Sequence, residues 1–121
     1  MNQGSVAIIG SRDYDNYLVL YQFVEETLNE WNLKPTRIVS GGATGVDTMA
    51  RRYANQKQIE MLEFLPVGNT NNSNPWHERN AEIINHCDYV IAFPSVEGKG
   101  TQHALRLAKE ANKTIKVISI C

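Results

Sequence analysis

Apolar residues along the chain follow two alternating patterns. Short unbroken apolar runs, such as Val6–Ile9 and Tyr89–Phe93, are typical of strands that are buried on both faces. Between these runs, apolar residues recur three or four positions apart, which places them on one face of a helix. In the first such segment the apolar residues are Tyr17, Leu20, Tyr21, Val24, Leu28 and Trp31. The alternation predicts strands and helices in regular succession.

The same patterns set the other element boundaries. Further strands are predicted at Arg37–Ser40, Ile59–Phe64 and Lys113–Ile120, and further helices over 46–54, 76–86 and 101–111. Asp15 is the predicted N-cap of the first helix, and Pro35 is predicted to close that helix off. Parallel strands need crossover connections, so the order β-α-β-α-β-α-β-α-β predicts a Rossmann-like α/β fold. That fold is a three-layer sandwich with about five parallel strands and helices on both faces of the sheet.

Length and composition limit the classes of protein that remain. The chain has 121 residues, so we predict a single domain over residues 1–121. With 42% apolar and 21% charged residues, the composition fits neither a disordered segment nor a coiled coil. The net charge is −1. It disfavours nucleic acid as a partner, because proteins that neutralise duplex phosphates are usually basic.

Cysteine usage and the first residues indicate the compartment. Cys87 and Cys121 form no paired framework, which suits a reducing cytoplasm. Residues 1–5 lack the charged and apolar regions of a signal peptide, and no apolar run is long enough to span a membrane. We therefore expect a cytoplasmic protein without a membrane partner. His77 and His103 have no cysteine or acidic residue at ligand spacing, so no metal and no cofactor is predicted.

Glycine and hydroxyl residues follow three of the first four predicted strands. These turns are Gly10-Ser11-Arg12, Ser40-Gly41-Gly42-Ala43-Thr44-Gly45 and Gly98-Lys99-Gly100-Thr101. Ligands of open parallel sheets bind beyond the carboxyl ends of the strands, and each turn precedes a helix whose first N–H groups attract an anion. Glycine lets phosphate oxygens come close to the backbone. The turns predict a nucleotide or another phosphorylated ligand; the alternative is ordinary turn chemistry.

Two common phosphate motifs are absent from the sequence. There is no GxxxxGK[ST] motif, which argues against phosphoryl transfer by the P-loop mechanism. The Gly41–Gly45 turn follows the second predicted strand and lacks the GxGxxG spacing. A standard nicotinamide-dependent dehydrogenase is therefore disfavoured.

Four segments, in order and over nearly the whole chain, resemble the SLOG superfamily. They are Gly10-Ser11-Arg12, the run from Ser40 to Asp47, Arg79-Asn80, and the run from Val90 to Thr101. The superfamily unites the DNA-processing protein A (Smf) fold with the lonely-guy phosphoribohydrolases and small stand-alone relatives. The resemblance implies a Rossmann-like domain, often a homodimer or higher homo-oligomer, that binds nucleotides or nucleotide-derived signals such as ADP-ribose.

The segment from His77 to Thr101 is most similar to the lonely-guy enzymes, which cleave the base from a nucleoside monophosphate. The resemblance implies that Arg79, Gly100 and Thr101 hold the phosphate. The family has a glutamate three residues after the threonine, where this chain has Ala104, and its doubled glycine is also broken here. An alanine cannot stabilise a glycosyl cation, so the sequence favours binding over cleavage.

The candidate ligand-binding residues share a position in the turns or the segments just described. They are Gly10, Ser11, Arg12, Gly41, Gly42, Ala43, Thr44, Asp47, Arg79, Asn80, Gly98, Gly100 and Thr101. Each has an ordinary structural alternative. Arg12 is a phosphate clamp or a solvated turn residue, and Arg79 is a clamp or an ion-pair partner of Glu78 or Glu82. Asp47 caps its helix or accepts hydrogen bonds from a ribose, and the hydroxyl residues bind phosphate or cap helices.

Three functions are compatible with these residues. The leading hypothesis is a module that binds or sequesters a nucleotide or nucleotide-derived ligand. The first alternative is a nucleotide N-glycosidase that lacks the family glutamate, for which no catalytic residue can be assigned. The second is a protein that binds single-stranded DNA, which the net charge disfavours.

Overall fold

A computed structural model describes residues 2–42, 44–65, 75–94 and 99–119, and strands and helices alternate within these ranges. The side chains of residues 75–77 and 99 are outside that description. The strands are β1 (Asn2–Gly10), β2 (Leu33–Ser40), β3 (Glu60–Glu63), β4 (Tyr89–Phe93) and β5 (Thr114–Val117). The helices are α1 (Tyr17–Glu30), α2 (Val46–Gln56), α3 (Pro75–Asn85) and α4 (Lys99–Glu110). The predicted α/β fold class is confirmed.

The five strands form one parallel sheet in the order β3-β2-β1-β4-β5. The chain therefore moves outward from β1 through β2 to β3, and then returns to the other side of β1 to add β4 and β5. This reversal makes the sheet doubly wound. Such a sheet has its topological switch point between β1 and β4, and that point positions the site described below.

Successive side chains of β1 point into two separate cores. Val6 and Ile8 pack into a core that also contains α1 and α2, whereas Ala7 and Ile9 pack into a core built from α3 and α4. This is the period of two expected of a strand that is covered on both faces. No helix in the described ranges is long and apolar enough to span a membrane.

The first helix begins and ends at residues other than those predicted. Its N-cap is Asn16, whose side chain accepts a hydrogen bond from the amide of Val19 (3.3 Å), so the prediction of Asp15 was wrong by one position. At the other end the helix stops at Glu30, and Asn32 has a φ of 51°. Asparagine tolerates this left-handed conformation and ends helices there, so Pro35 is not what closes the helix.

Pro35 instead lies inside β2, which starts four residues earlier than predicted. It pairs with Gly4, whereas the next pair of β1 and β2 joins Ser5 to Arg37, so Thr36 is an extra residue at a register shift. Pairing of β2 with β3 starts only at Arg37. On that side Pro35 therefore lies on a strand edge, where a proline is tolerated.

Candidate anion-binding site

The switch point brings the ends of β1 and β4 together at the carboxyl edge of the sheet. The pairing of β1 with β4 runs to Gly10 opposite Phe93. Directly after it, the amide of Ser11 donates to the carbonyl of Phe93 (3.0 Å). The turn that follows β1 is thus attached to the last residue of β4. In open α/β sheets, ligands bind in the crevice beyond this point.

The predicted turns after β1 and β2 touch each other through their backbones. The amide of Val46, the first residue of α2, donates to the carbonyl of Ser11 (3.0 Å). The hydroxyl of Thr44 donates to the carbonyl of Arg12 (3.4 Å). These hydrogen bonds therefore join the turn after β1 to the turn after β2, which are two of the three predicted turns. The amide of Val46 is occupied by Ser11, so this first N–H group of α2 is not a donor for an anion.

Two glycines make that close contact possible. A side chain at Gly45 would meet the carbonyls of Ser11 and Arg12, and its φ of +72° is unfavourable for any other residue. A side chain at Gly10 would meet the carbonyl of Phe93. At these positions glycine serves the approach of one backbone to another, which is the turn chemistry that the sequence left open as the alternative to a ligand.

Arg79 reaches from α3 to the end of β2. Its Nη1 donates to the carbonyl of Gly41 (3.0 Å) and its Nε to Oδ1 of Asn80 (3.1 Å). Burial lowers the pKa of the guanidinium, the carboxylate of Asp47 raises it, and the positive charge of Arg12 lowers it further. Arg12 and Arg79 are thus within electrostatic range of each other. Glu82 is one of the two carboxylates that the sequence offered as ion-pair partners of Arg79, and its Oε2 lies 3.9 Å from Nδ1 of His86.

Asp47 is buried in the first turn of α2, where the helix dipole favours a negative charge. Its Oδ2 is 3.0 Å from the position that a side chain on Gly41 would take, and the Arg79 guanidinium borders the same position. The N-cap of α2 is Gly45, which has no side-chain cap. Asp47 is therefore a counter-charge for Arg79, a role that the sequence did not suggest.

The third predicted turn is tied to the site through Asn80. Helix α4 begins at Lys99, so Gly100 and Thr101 lie in its first turn rather than before it. Asn80 is 4% exposed, and its Nδ2 lies 3.1 Å from both the carbonyl of Gly100 and Nδ1 of His103. Through these hydrogen bonds, Arg79 and its neighbour Asn80 connect the carboxyl end of β2 to the start of α4. Ala43 and Gly98 lie outside the described residues.

Ala104 occupies the position of the lonely-guy glutamate and belongs to the core. It is 2% exposed and packs with Ala108 against the sheet. That position therefore offers no acid or base to a ligand. Within the described parts of the chain, no group of three or more potential ligands could hold a metal ion.

A cavity of about 300 Å³ lies at the opposite edge of the sheet, between α1, α2 and the start of β2. Leu28, Leu33 and Tyr53 are among its lining residues. Tyr53 donates its hydroxyl to Glu25 (2.7 Å), and burial raises the pKa of that hydroxyl, which keeps it protonated. The cavity contains none of the predicted site residues.

The fold agrees with the comparison of the sequence with known families. The model of the DNA recombination-mediator protein A family matches residues 1–119, and the chain belongs to this family. The resemblance to the superfamily of DNA-processing protein A, drawn from the turns and from Arg79-Asn80, is thereby confirmed.

Solved structures of two members have the same fold. DNA processing protein A from Streptococcus pneumoniae is 21% identical, with a TM-score of 0.75 over 97% of this chain. The protein from Helicobacter pylori, whose structure concerns its mode of binding single-stranded DNA, is 23% identical, with a TM-score of 0.68 over 96% of this chain. The chain spans 50% and 64% of these two structures. No curated protein matches it significantly.

Proposed function

We propose that the carboxyl edge of the sheet binds the phosphate of a nucleotide unit, and that the ligand is single-stranded DNA. The observation that carries the proposal is that the turn after β2 contacts both arginine-bearing segments: Thr44 donates to the carbonyl of Arg12 (3.4 Å), and Arg79 donates to the carbonyl of Gly41 (3.0 Å). The positive charge of Arg12 also lowers the pKa of Arg79. Membership of the DNA recombination-mediator protein A family supports the choice of ligand. So does the H. pylori relative, which binds single-stranded DNA.

The charges around Arg79 explain why an anion would bind there. Asp47 raises the pKa of Arg79 and Arg12 lowers it, so charges of both signs act on this guanidinium. A partly buried guanidinium beside a second one is stabilised by additional negative charge. A phosphate supplies that charge and matches the planar, bidentate geometry of guanidinium donors.

A free nucleotide is the second candidate ligand, and one observation favours it. The net charge of −1 leaves the chain without the general excess of positive charge that a long nucleic-acid contact requires. The sequence alone put this candidate first for that reason. Family membership puts single-stranded DNA first. The net charge is compatible with that order, because a short contact with one or two phosphates needs only a local positive charge.

The test measures binding of a fluorescein-labelled oligothymidylate by anisotropy. Arg12→Gln and Arg79→Gln should each weaken binding by about tenfold or more, since a hydrogen bond to a charged group is worth about 1.5–3 kcal/mol. Lys34→Gln is the matched control: it removes one exposed positive charge at the opposite edge of the sheet. The control should bind like the wild type.

Unlabelled nucleoside monophosphates are then added as competitors. Displacement of the oligonucleotide by a monophosphate, but not by the nucleoside, identifies the phosphate as the recognised group. If a monophosphate binds and the oligonucleotide does not, the second candidate replaces the first. If neither binds, or if both arginine variants bind like the wild type, the proposed site is wrong.

A further inference from the structure

Asn80 is a buried carboxamide whose three hydrogen-bond partners lie on two helices, α3 and α4. Its Oδ1 faces Nε of Arg79 (3.1 Å), and its Nδ2 faces the carbonyl of Gly100 and Nδ1 of His103, both at 3.1 Å. Only 4% of the residue is exposed. These contacts use the acceptor and both donors of the side chain.

The hydrogen-bonding capacity of two neighbouring groups determines the orientation of the Asn80 carboxamide. Nε of Arg79 can only donate a hydrogen bond, so the Asn80 atom that faces it must be the oxygen. The carbonyl of Gly100 can only accept, so the atom that faces it must be the nitrogen. The two contacts agree with each other, and a flipped amide would break both.

The orientation of Asn80 in turn determines the tautomer of His103. Nδ2 of Asn80 has no lone pair to offer, so it donates to Nδ1 of His103. An Nδ1 that accepts a hydrogen bond carries no proton in the neutral ring. The proton of the neutral imidazole is therefore on Nε2.

We propose that Asn80 is a positioning residue, and that it fixes His103 as an Nε2–H donor that binds the same phosphate as Arg79. The second half of this inference rests on the proposed function. One carboxamide orients both the guanidinium of Arg79 and the ring of His103, so the two side chains are separated by a single amide group. His103 lies in the helix whose first turn the same amide holds.

The tautomer can be measured without any ligand. Long-range ¹H–¹⁵N NMR spectra of the labelled chain are recorded about two pH units above the ordinary imidazole pKa of about 6.5, with His77→Gln used for assignment. His103 should show a protonated Nε2 and an unprotonated Nδ1. His86 is an internal reference of the opposite kind: its Nδ1 is 2.8 Å from the carbonyl of Glu82, to which it must donate. A protonated Nδ1 on His103 would overturn the assignment.

Asn80→Asp tests whether Asn80 holds the ring. The aspartate keeps an acceptor for Nε of Arg79 but replaces the donor that faces His103 with an acceptor. His103 should therefore switch to the tautomer with the proton on Nδ1. A ring that keeps its Nε2–H form in a folded Asn80→Asp protein would show that Asn80 does not determine the tautomer. If this variant does not fold, the wild-type spectrum still decides the assignment.

A pair of His103 variants tests the role in binding. His103→Gln keeps both an acceptor and a donor, whereas His103→Met has a similar size and has no donor. With the labelled oligothymidylate, the glutamine variant should bind close to wild type and the methionine variant about tenfold more weakly. Equal binding by His103→Met and wild type would refute the binding role. If the wild type itself does not bind, the binding role of His103 is wrong together with the proposed function. The tautomer of His103 is still decided by the NMR spectrum of the wild type.

Discussion

Glycines at the carboxyl edge differ in what a side chain would meet. Gly45 has a positive φ and faces the carbonyls of Ser11 and Arg12, whereas a side chain at Gly100 would meet nothing within 4 Å. Both follow strands in the sequence and precede or begin helices, so the sequence could not separate them. The turn after β2 needs its glycine, and the start of α4 does not.

Substitution of these two glycines by alanine should therefore have different effects on stability. Gly45→Ala should lower the free energy of unfolding by at least about 1–2 kcal/mol, the ordinary cost of a left-handed residue, with the carbonyl clash in addition. Gly100→Ala should leave stability unchanged or raise it by up to about 1 kcal/mol, because alanine is the better helix former. Urea unfolding monitored by circular dichroism measures both. Equal losses in the two variants would contradict the backbone geometry described for Gly45.

Another prediction at this scale concerns pH. The hydrogen bonds from Arg51 hold the pKa of Glu63 below its ordinary value of 4.5, although partial burial acts in the opposite direction. The unfolded chain therefore binds the proton more readily than the folded chain does. The stability that the pair supplies is present above about pH 4.5 and is lost as the pH falls through the lower folded value.

Arg51→Gln provides the measurement. Its melting temperature should lie below that of the wild type at neutral pH, and the difference should shrink as the pH falls below 4.5. Arg52→Gln is the control on the same helix, since Arg52 lies over the ring of Tyr17 rather than beside a carboxylate. A difference for Arg51→Gln that does not change with pH would show that the ion pair does not contribute.

At the scale of elements, the start of α1 offers a direct comparison of two neighbouring residues. Asn16 accepts a hydrogen bond from the amide of Val19, and Asp15 precedes it. Asn16→Ala should lower the free energy of unfolding by about 0.5–2 kcal/mol, as for other N-caps. Asp15→Ala should change it by much less. Thermal unfolding of the two variants decides which residue caps the helix.

Most of the element order could be predicted because burial on both faces produces distinctive patterns. Tyr89–Phe93 is an apolar run, and the structure gives β4 the same bounds. The element boundaries that were predicted wrongly depended on single residues, and the structural role of such a residue depends on its neighbours. Pro35 ended a helix in the sequence-based prediction, but Asn32 had already ended it and the edge position of Pro35 allowed a strand.

The site could be predicted in part, for a related reason. A turn after a strand must lie at the carboxyl edge, so Gly10–Arg12 and Gly41–Gly45 could be placed there from order alone. Which side chains then meet depends on helix rotation and packing, which the sequence does not show. His103 was considered only as a metal ligand, because nothing in the sequence places it beside Asn80. The predicted homodimer and cytoplasmic location stay predictions.

At the scale of the whole molecule, charge is balanced overall but not locally. The chain has 12 basic and 13 acidic residues, so a long track for nucleic acid is not expected from composition. At the carboxyl edge the positive charges that act on the proposed site are those of Arg12 and Arg79, beside the carboxylate of Asp47. The contact with single-stranded DNA should therefore be short.

The salt dependence of binding measures that length. If about two phosphates are neutralised, the logarithm of the association constant should fall with the logarithm of salt concentration with a slope of about −1.4. A slope several times steeper would require a basic surface other than Arg12 and Arg79. Either arginine variant should make the slope shallower, whereas Lys34→Gln should leave it unchanged.

Arg12 and Arg79 approach the switch point from opposite sides of the sheet, one from the connection that leads to α1 and the other from α3. A phosphate held by both would be a non-covalent cross-link between the helices on the two faces of the sheet. Occupancy would then slow amide hydrogen exchange in α1 and α3 together, although these helices belong to different cores. Loss of either arginine would leave the two layers to open independently even when the ligand is present.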